Sequence, residues 1–220
     1  MLPVLQKESK RNSALPDGYL DSDTFKLRFE RNAYSQCNHV ESGAIFYLEE
    51  GARLYEYQSD YGDCSALAGG LAFVTGHGTY LKIELPGAQM TSMFAYQGAI
   101  VYIEKGATVE MKNNVKVRYS EAYEGTVAFI KDRARLIMET SVDISYNRAY
   151  RRGLFYISDG SQIYLNDATI FGNKAGYDSV IMHFENNRIE HHLVDGSQSI
   201  SAMAIRVLQS WVENVQVSRN

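Results

Sequence analysis

The chain has 220 residues, of which 45% are hydrophobic and 12% aromatic, so it can build a substantial core and is not expected to be disordered. Lys and Arg number 22 against 26 Asp and Glu, a net charge of −4. This balance lacks the basic footprint of a protein that binds nucleic acid or an anionic membrane. No apolar run approaches the roughly 18 residues of a membrane span, and residues 1–16 contain no signal-like apolar stretch. We therefore predict no nucleic-acid partner and no membrane insertion, and the sequence indicates no compartment.

Residues 1–42 are polar and mostly aperiodic, and we predict that they form an N-terminal segment that includes a partial coil and a cap. Leu27, Phe29 and residues 31–34 fit a partial leading coil. Cys37 precedes Cys64 by one repeat of the pattern described next. We predict two stacked, buried thiols here, with a disulfide or a redox role as the alternative.

A four-residue motif recurs through residues 43–220, in the order aromatic, aliphatic, polar and turn residue. Its copies begin, at nearly equal steps, at Tyr47, Phe73, Tyr102, Phe129, Tyr156, His183 and Trp211. Gly43, Gly70, Gly98 and Gly125 open their repeats at similar steps. Each repeat contains three short apolar runs, which in the third repeat are residues 99–104, 108–112 and 115–119. Short runs with alternating polarity predict strands and not helices.

Three strands and three turns fill one repeat of about 27 residues, which predicts an all-β fold, a parallel β-helix (solenoid) of about six to seven coils. Each coil stacks on the previous one at about 4.8 Å, the strand spacing of a sheet. Equivalent side chains then form columns along the axis. We predict one inward column of aliphatic and aromatic residues, made by Leu48, Val74, Ile103, Ile130, Ile157, Phe184 and Val212.

The phrases at residues 98–103 and 168–175 resemble degenerate polymorphic-outer-membrane-type repeats. That family follows the pattern Gly-Gly-Ala-Ile-Tyr-Ile and then Phe-x-x-Asn-x-Ala. The resemblance covers residues 43–190, where Asn147 and Asn173 keep the asparagine. It implies a right-handed parallel β-helix and says little about chemistry.

Residues 200–220 allow two interpretations. Ala204, Val207, Leu208 and Trp211 fit one face of a helix that would cap the solenoid. Alternatively, Trp211 begins a seventh coil. We favour the strand because it keeps the register. The solenoid would then stop within a coil, which indicates a fragment of a longer protein or a partner that caps it.

Parallel β-helices include many polysaccharide lyases and hydrolases, so catalysis must be considered. Asp132 and Asp159 lie one coil apart, about 5 Å, which suits a retaining carboxylate pair. Aspartate is also common where strands turn. We favour that interpretation and predict no catalytic residues. His191 and His192 are neighbours that would point to opposite faces of a strand, so we predict no metal site and no cofactor.

The aromatic members of the motif alternate with the inward aliphatic column and are therefore predicted to face outward. Ile45, Leu71, Ile100, Val127, Leu154 and Ile181 are expected on the same side, which would make one sheet apolar on both faces. Such a sheet is normally covered. We predict a protein interface at Tyr47, Phe73, Tyr102, Phe129, Tyr156, His183 and Trp211. Cover by the N-terminal segment, or a purely stabilising ladder of stacked rings, is the alternative.

These features predict a non-catalytic structural or interaction solenoid that acts as a subunit or fragment of a larger protein assembly. The second hypothesis is a carbohydrate-active β-helix enzyme, or a carbohydrate-binding surface protein. An outward groove with clustered Asp, Lys and Arg would favour the second hypothesis, and a dry aromatic face against another chain would favour the first.

Overall fold

The computed structural model describes residues 26–30, 32–84, 89–166, 168–177, 181–185, 188–190, 194–195, 205–208 and 211–213. Every regular element within these residues is a β-strand, and every pair of neighbouring strands runs parallel. Partners lie mostly one repeat apart in sequence, as in the pairing of Leu54 with Leu81. The predicted all-β parallel solenoid is therefore confirmed.

The strands form four main sheets, which we call A, B, C and D in the order in which a coil passes through them. Sheet A contains Lys26–Glu30, Arg53–Tyr57, Tyr80–Glu84, Thr108–Lys112, Arg135–Glu139, Gln162–Asn166 and Val194–Asp195. Sheet B contains Ala33–Ser35, Asp60–Gly62, Gln89–Thr91, Lys116–Arg118, Val142–Ser145 and Ala168–Phe171. Sheet C contains Ser65–Ala68, Phe94–Gln97, Glu121–Glu124, Arg148–Arg151 and Lys174–Tyr177. Sheet D contains Phe46–Leu48, Ala72–Thr75, Val101–Glu104, Ala128–Ile130, Phe155–Ser158, Met182–Glu185 and Ile205–Leu208.

Each complete coil has four strands, whereas the apolar runs predicted three. The additional strand belongs to sheet C. Its inward residue is a small alanine, such as Ala95 or Ala122, and its outward residues are aromatic or charged, so it does not form an apolar run. Sheet C has five strands, which gives about five complete coils, slightly fewer than the predicted six to seven. Lys26–Glu30 and Ala33–Ser35 begin sheets A and B, so the described part of the N-terminal segment supplies a partial leading coil. Residues 1–25, which include the predicted cap, lie outside the described residues.

The predicted inward column is confirmed from Leu48 to Ile157. Leu48, Val74, Ile103, Ile130 and Ile157 pair in consecutive strands of sheet D and are all buried in the main core. The backbone of the next member of the predicted column pairs with Ile157 in the same register. Similar columns from sheets A and B fill the rest of the interior. Burial of these apolar side chains stabilises the stack by about 25 cal/mol per Å² removed from water.

The turn from sheet C to sheet D corrects the prediction for the Ile100 row. Gly98 has φ +64°, and a Cβ atom there would lie 2.2 Å from the carbonyl oxygen of Val101, so only glycine fits. This bend directs Ile100 into the main core beside Val101, and Ile100 is fully buried. The outer side of sheet D therefore carries the aromatic residues without the row predicted to accompany them. The equivalent residues Leu71, Val127, Leu154 and Ile181 also lie in the main core, and half-buried Ile45 packs against it.

The turn from sheet B to sheet C is held by a column of polar side chains. The backbone N–H of Ser120 donates to Oδ1 of Asn147 at 3.0 Å, and the N–H of Asn147 donates to Oδ1 of Asn173 at 2.8 Å. Cys37 and Cys64 occupy this column as free thiols, and the N–H of Cys37 donates to Sγ of Cys64 at 3.3 Å. The predicted stacking of free thiols is confirmed, but only Cys64 is buried and Cys37 is half-buried. These side chains supply acceptors for backbone donors that the turn would otherwise leave unpaired.

The C-terminal strands correct the predicted register of Trp211. The backbone of His183 pairs with Arg206, so Arg206 occupies the seventh position of the aromatic column. Trp211 pairs instead with Arg188, in a separate two-stranded sheet made by Arg188–Glu190 and Trp211–Glu213. The next predicted position, Val212, therefore does not continue the column of aliphatic residues in sheet D. The step from His183 to Arg206 is shorter than any other step in sheet D, which the regular spacing did not indicate.

We predict that Ile130→Asp destabilises the protein by several kcal/mol. Ile130 is fully buried between Ile103 and Ile157, and the substitution places an unpaired carboxylate among aliphatic side chains. Thermal unfolding monitored by circular dichroism measures the effect. Arg135→Asp, at an exposed position of sheet A, is the matched control and should change the melting temperature little. An unchanged melting temperature for Ile130→Asp would contradict the core assignment.

Candidate interaction surface

An aromatic ladder runs along the outer side of sheet D. Its rings stack from coil to coil with centroid separations of 5.2, 4.8, 5.0, 4.3 and 5.5 Å and interplanar angles of 20° or less. Three of them form a cluster separate from the main core, as expected for side chains on the opposite face of the strand. The members of the ladder are Tyr47, Phe73, Tyr102, Phe129, Tyr156 and His183.

The chain itself covers the middle of this ladder. Tyr102, Phe129 and Tyr156 are only 5–6% exposed, whereas Tyr47 at the end is 40% exposed. The cover on one side is Lys131, whose ammonium lies 5.5 Å from the centre of the Tyr102 ring. Apart from Trp211, the predicted interface residues are therefore brought together, but the central members already lie under flanking side chains of the same chain.

Ion pairs hold this cover in place. The Lys131 ammonium lies 3.1 Å from Oε2 of Glu104. Burial by itself would raise the pKa of Glu104, but bonds from Lys131 and Thr75 bring that pKa below its ordinary value. On the other side, Arg152 lies 5.2 Å from the centre of the Tyr156 ring and forms an ion pair with the neighbouring coil. Partly buried ion pairs with additional hydrogen bonds hold fixed geometry better than exposed pairs. The side chains that cover the ladder are thus held in fixed positions by the fold.

A different surface leaves its apolar side chains open. Of the ten large apolar side chains that are exposed among the described residues, nine lie on or beside the outer side of sheet C and the turn before it. Sheet A has charged pairs on its outer side instead, such as Lys82 with Glu84 at 2.6 Å. We call the apolar surface the tyrosine face. It contains Val40, Leu67, Phe94, Tyr96, Tyr119, Tyr123, Tyr146, Tyr150 and Phe171.

Stacking organises the tyrosines into two columns. Tyr96 and Tyr123 stack with their ring centres 4.8 Å apart and their planes at 11°. Tyr119 and Tyr146 stack in the same way at 5.5 Å and 8°. The ring faces point at each other along the axis, so the ring edges and hydroxyl groups are presented to solvent. The ring of Tyr150 is partly covered as well, because a neighbouring guanidinium lies 4.5 Å from its centre.

A column of one phenylalanine and three charged residues runs between the two tyrosine columns. Phe94, Glu121, Arg148 and Lys174 pair in consecutive strands and so follow one another along the axis. Glu121 accepts a hydrogen bond from the hydroxyl of Tyr150 at 2.8 Å. The face therefore combines aromatic edges with charges of both signs, and aromatic residues and Arg are enriched at protein interfaces.

The sequence analysis missed this face, although its spacing was visible. Tyr96, Tyr123 and Tyr150 recur at the spacing of the repeat, as do Tyr119 and Tyr146. Tyr119 ends the predicted apolar run 115–119, but Tyr96, Tyr123 and Tyr150 lie in no predicted run, because the inward partner in each of their strands is alanine. In sheet C the small residue points inward and the large one outward.

The structure places Asp132 and Asp159 at one open groove, together with His77, Lys105 and Arg133, so the outward cluster of Asp, Lys and Arg that favours the carbohydrate hypothesis is present. Both aspartates have left-handed backbone conformations, φ +55° and +52°, which is a turn role for Asp. Both are exposed. A carboxyl group that acts as a general acid needs an environment with little water, and these two lack one.

Among the described residues, no three His, Cys, Asp or Glu side chains come close enough together to hold a metal ion. His191 and His192 lie outside the described residues. The described part of the chain also contains no helix that is long and apolar enough to cross a membrane.

One carboxylate lies inside the solenoid. Glu56 is 1% exposed at a core position of sheet A, where the next coil has Ile83. The hydroxyl groups of Ser59, Tyr61 and Tyr34 donate to it at 2.6, 3.1 and 3.1 Å. Burial raises the pKa of Glu56 above the ordinary 4.5, and these three hydrogen bonds offset part of the rise. Burial and the Glu56 charge in turn raise the pKa of Tyr61.

Comparison with protein-family models, curated proteins and solved structures gives no match. The functional argument therefore depends on the geometry of the surfaces described above.

We predict that Glu56→Gln changes how stability depends on pH. Because the folded-state pKa of Glu56 is raised, the folded protein retains this proton where the unfolded chain has released it. Wild-type stability should therefore fall, relative to the variant, as pH rises from the ordinary carboxyl range through the folded-state pKa. Urea unfolding over a series of pH values, from mildly acidic to neutral, measures the difference. Exposed Glu49→Gln is the control and should keep the wild-type slope, and parallel curves for Glu56→Gln would refute the prediction.

Proposed function

We propose that this chain is a non-catalytic interaction solenoid that acts as a subunit of a larger protein assembly and docks through its tyrosine face. The observation that supports the proposal is that, in the part of the chain that the structure describes, nine of the ten exposed large apolar side chains lie on this one surface. Soluble monomers rarely leave a contiguous apolar surface uncovered, and tyrosine is enriched at protein interfaces. The solenoid supplies a rigid support, because every strand of the face is bonded to its neighbours.

The orientation of the rings favours a protein ligand over a carbohydrate. A sugar ring packs its C–H groups against the electron-rich face of an aromatic ring. In the pairs Tyr96–Tyr123 and Tyr119–Tyr146 each ring turns one face to its neighbour along the axis, and edges and hydroxyl groups point outward. Edges and hydroxyl groups suit the mixed apolar and hydrogen-bonding contacts of a protein surface.

The aromatic ladder on sheet D is a second proposed contact region, limited to its open end. Tyr47 is 40% exposed and stacks on Phe73 at 5.2 Å, so a capping partner would extend the stack at this position. Contact with Phe129 would require Lys131 or Arg152 to move first.

We also propose that the repeats are degenerate members of the polymorphic-outer-membrane type, with a right-handed coil. The support is the asparagine position of that pattern. Asn147 and Asn173 stack in one column, and their side chains bond the backbone of the preceding coil, with Nδ2 of Asn173 donating to the carbonyl oxygen of Ile144 at 2.8 Å. The asparagine of the repeat therefore has a structural role in the turn, and no catalytic role is needed to explain it.

Site-specific photo-crosslinking in cells tests the docking surface. A benzophenone amino acid at Leu67 or Tyr96 should give covalent protein adducts, because these side chains are 57% and 48% exposed on the tyrosine face. The matched control is the same amino acid at exposed Gln162 on sheet A, which should give few adducts. Absence of adducts at Leu67 and Tyr96, or equal labelling at Gln162, would overturn the proposal.

We predict that the purified chain does not cleave polysaccharides, because Asp132 and Asp159 are open turn residues. Reducing-end and unsaturated-product assays on a panel of acidic and neutral polysaccharides check this. Robust cleavage that is lost in Asp132→Asn or Asp159→Asn would establish the alternative, a carbohydrate-active enzyme.

A further inference from the structure

The charges on the tyrosine face are complementary to those on the same face of a second, rotated copy of the chain. Along the central column Glu121 is followed in the next coil by Arg148, and then by Lys174. An acidic partner would suit only Arg148 and Lys174, and a basic partner would suit only Glu121. A second copy of the same face, with its coils in the opposite order, suits both ends of the column.

From this pattern we propose that the tyrosine face joins two copies of this chain around a two-fold axis that lies level with the gap between Glu121 and Arg148, an inference that rests on the proposed docking function of the face. In a two-fold interface, if residue i of one copy contacts residue j of the other, then j also contacts i. An axis that lies in the interface and runs parallel to the strands reverses the order of the coils and keeps the direction of the strands. Glu121 of each copy is then opposite Arg148 of the other, which makes two identical ion pairs.

The tyrosines flanking this centre follow the same rotation. Tyr119 and Tyr123 lie on either side of Glu121, and Tyr146 and Tyr150 hold the equivalent positions in the next coil. The rotation places Tyr119 opposite Tyr146 of the second copy, and Tyr123 opposite Tyr150. All four rings are 37–59% exposed in a single chain. Their edges and hydroxyl groups meet across the interface, where they supply apolar and hydrogen-bonding contacts.

The outer rows pair large residues with small or flexible ones. Phe94 is opposite Lys174 of the second copy, a cation–π arrangement. Tyr96 is opposite Gly176 of the second copy, where no side chain competes for the space. Gly176 must be small for a reason within its own chain, because a Cβ atom would lie 2.3 Å from the carbonyl oxygen of Tyr150. The coil that contains Lys174 and Gly176 in one copy therefore leaves space for Phe94 and Tyr96 of the other copy.

The size of the face indicates a reversible dimer. Four rows at about 4.8 Å and a width of about 15 Å cover roughly 300 Å² in projection, less than the about 800 Å² per partner of a standard interface. Affinity should therefore be modest and sensitive to salt, because the central contacts are ion pairs.

Charge exchange tests the dimer with the full chain. Sedimentation velocity over a range of protein concentrations should show a monomer–dimer equilibrium for the wild type. Glu121→Arg and Arg148→Glu should each weaken association by about tenfold or more, because each puts like charges face to face at both central contacts. An equimolar mixture of the two single variants should dimerise again, because both contacts between unlike copies are then oppositely charged. Arg135→Glu on sheet A is the control.

Circular dichroism of each variant ensures that the loss of association is not a loss of folding. The recovery in the mixture cannot arise within one chain, since each copy keeps its own substitution. A wild type that stays monomeric at the highest soluble concentration, or a mixture that does not recover, would overturn the two-fold dimer. If the chain is monomeric and yet Leu67 and Tyr96 crosslink to a different protein, this inference fails and the docking function stands. If neither occurs, both fail.

Discussion

The structure depends on the stacking of each coil on the next in strict register. The backbone hydrogen bonds between parallel strands connect residues that are mostly one repeat apart in sequence, so every strand within the stack is held by the coils on either side of it. No coil buries its own apolar side chains, and the core exists only because successive coils cover each other. Register also decides the composition of each column, because a shift by one residue would exchange the inner and outer faces of a strand. The aliphatic column, the aromatic ladder and the tyrosine face are three consequences of this one constraint.

Polar groups enter the stack only where the register supplies partners for them. At the turn between sheets B and C, Asn147 satisfies the backbone of the coil before it and is satisfied by the coil after it. Glu56 breaks the apolar pattern of its column, but three hydroxyl groups surround its carboxylate. On sheet D, the ion pair of Glu104 and Lys131 covers rings that would otherwise be open. A stacked fold accepts a buried polar side chain when its neighbours along the axis provide the opposite hydrogen-bonding group.

The sequence predicted the fold well because periodicity reports directly on columns. The spacing of residues such as Ile103 and Ile130 identified the inward column, and the structure has the same pairs. It predicted the surface less well, for two physical reasons. A bend at Gly98 directs Ile100 inward, and periodicity does not show where a chain bends. In sheet C the interior takes only alanine, which inverts the usual relation between size and burial. At the C-terminus the step between coils shortens, and a fixed repeat placed Trp211 in the wrong strand.

The turns at the corners of the solenoid are also where insertions and deletions can be tolerated during evolution. The pairing step from Tyr61 to Met90 is longer than the step from Val117 to Ile144, yet no strand changes the face that it turns inward. An insertion or deletion of one residue within a strand would turn an aliphatic column out to solvent. The same change at a corner only enlarges or tightens a loop. Insertions and deletions of single residues should therefore occur in the loops of such a chain. Strands should be gained or lost only as part of a complete coil. Duplication of a coil would lengthen the tyrosine face by one row and leave its pattern intact.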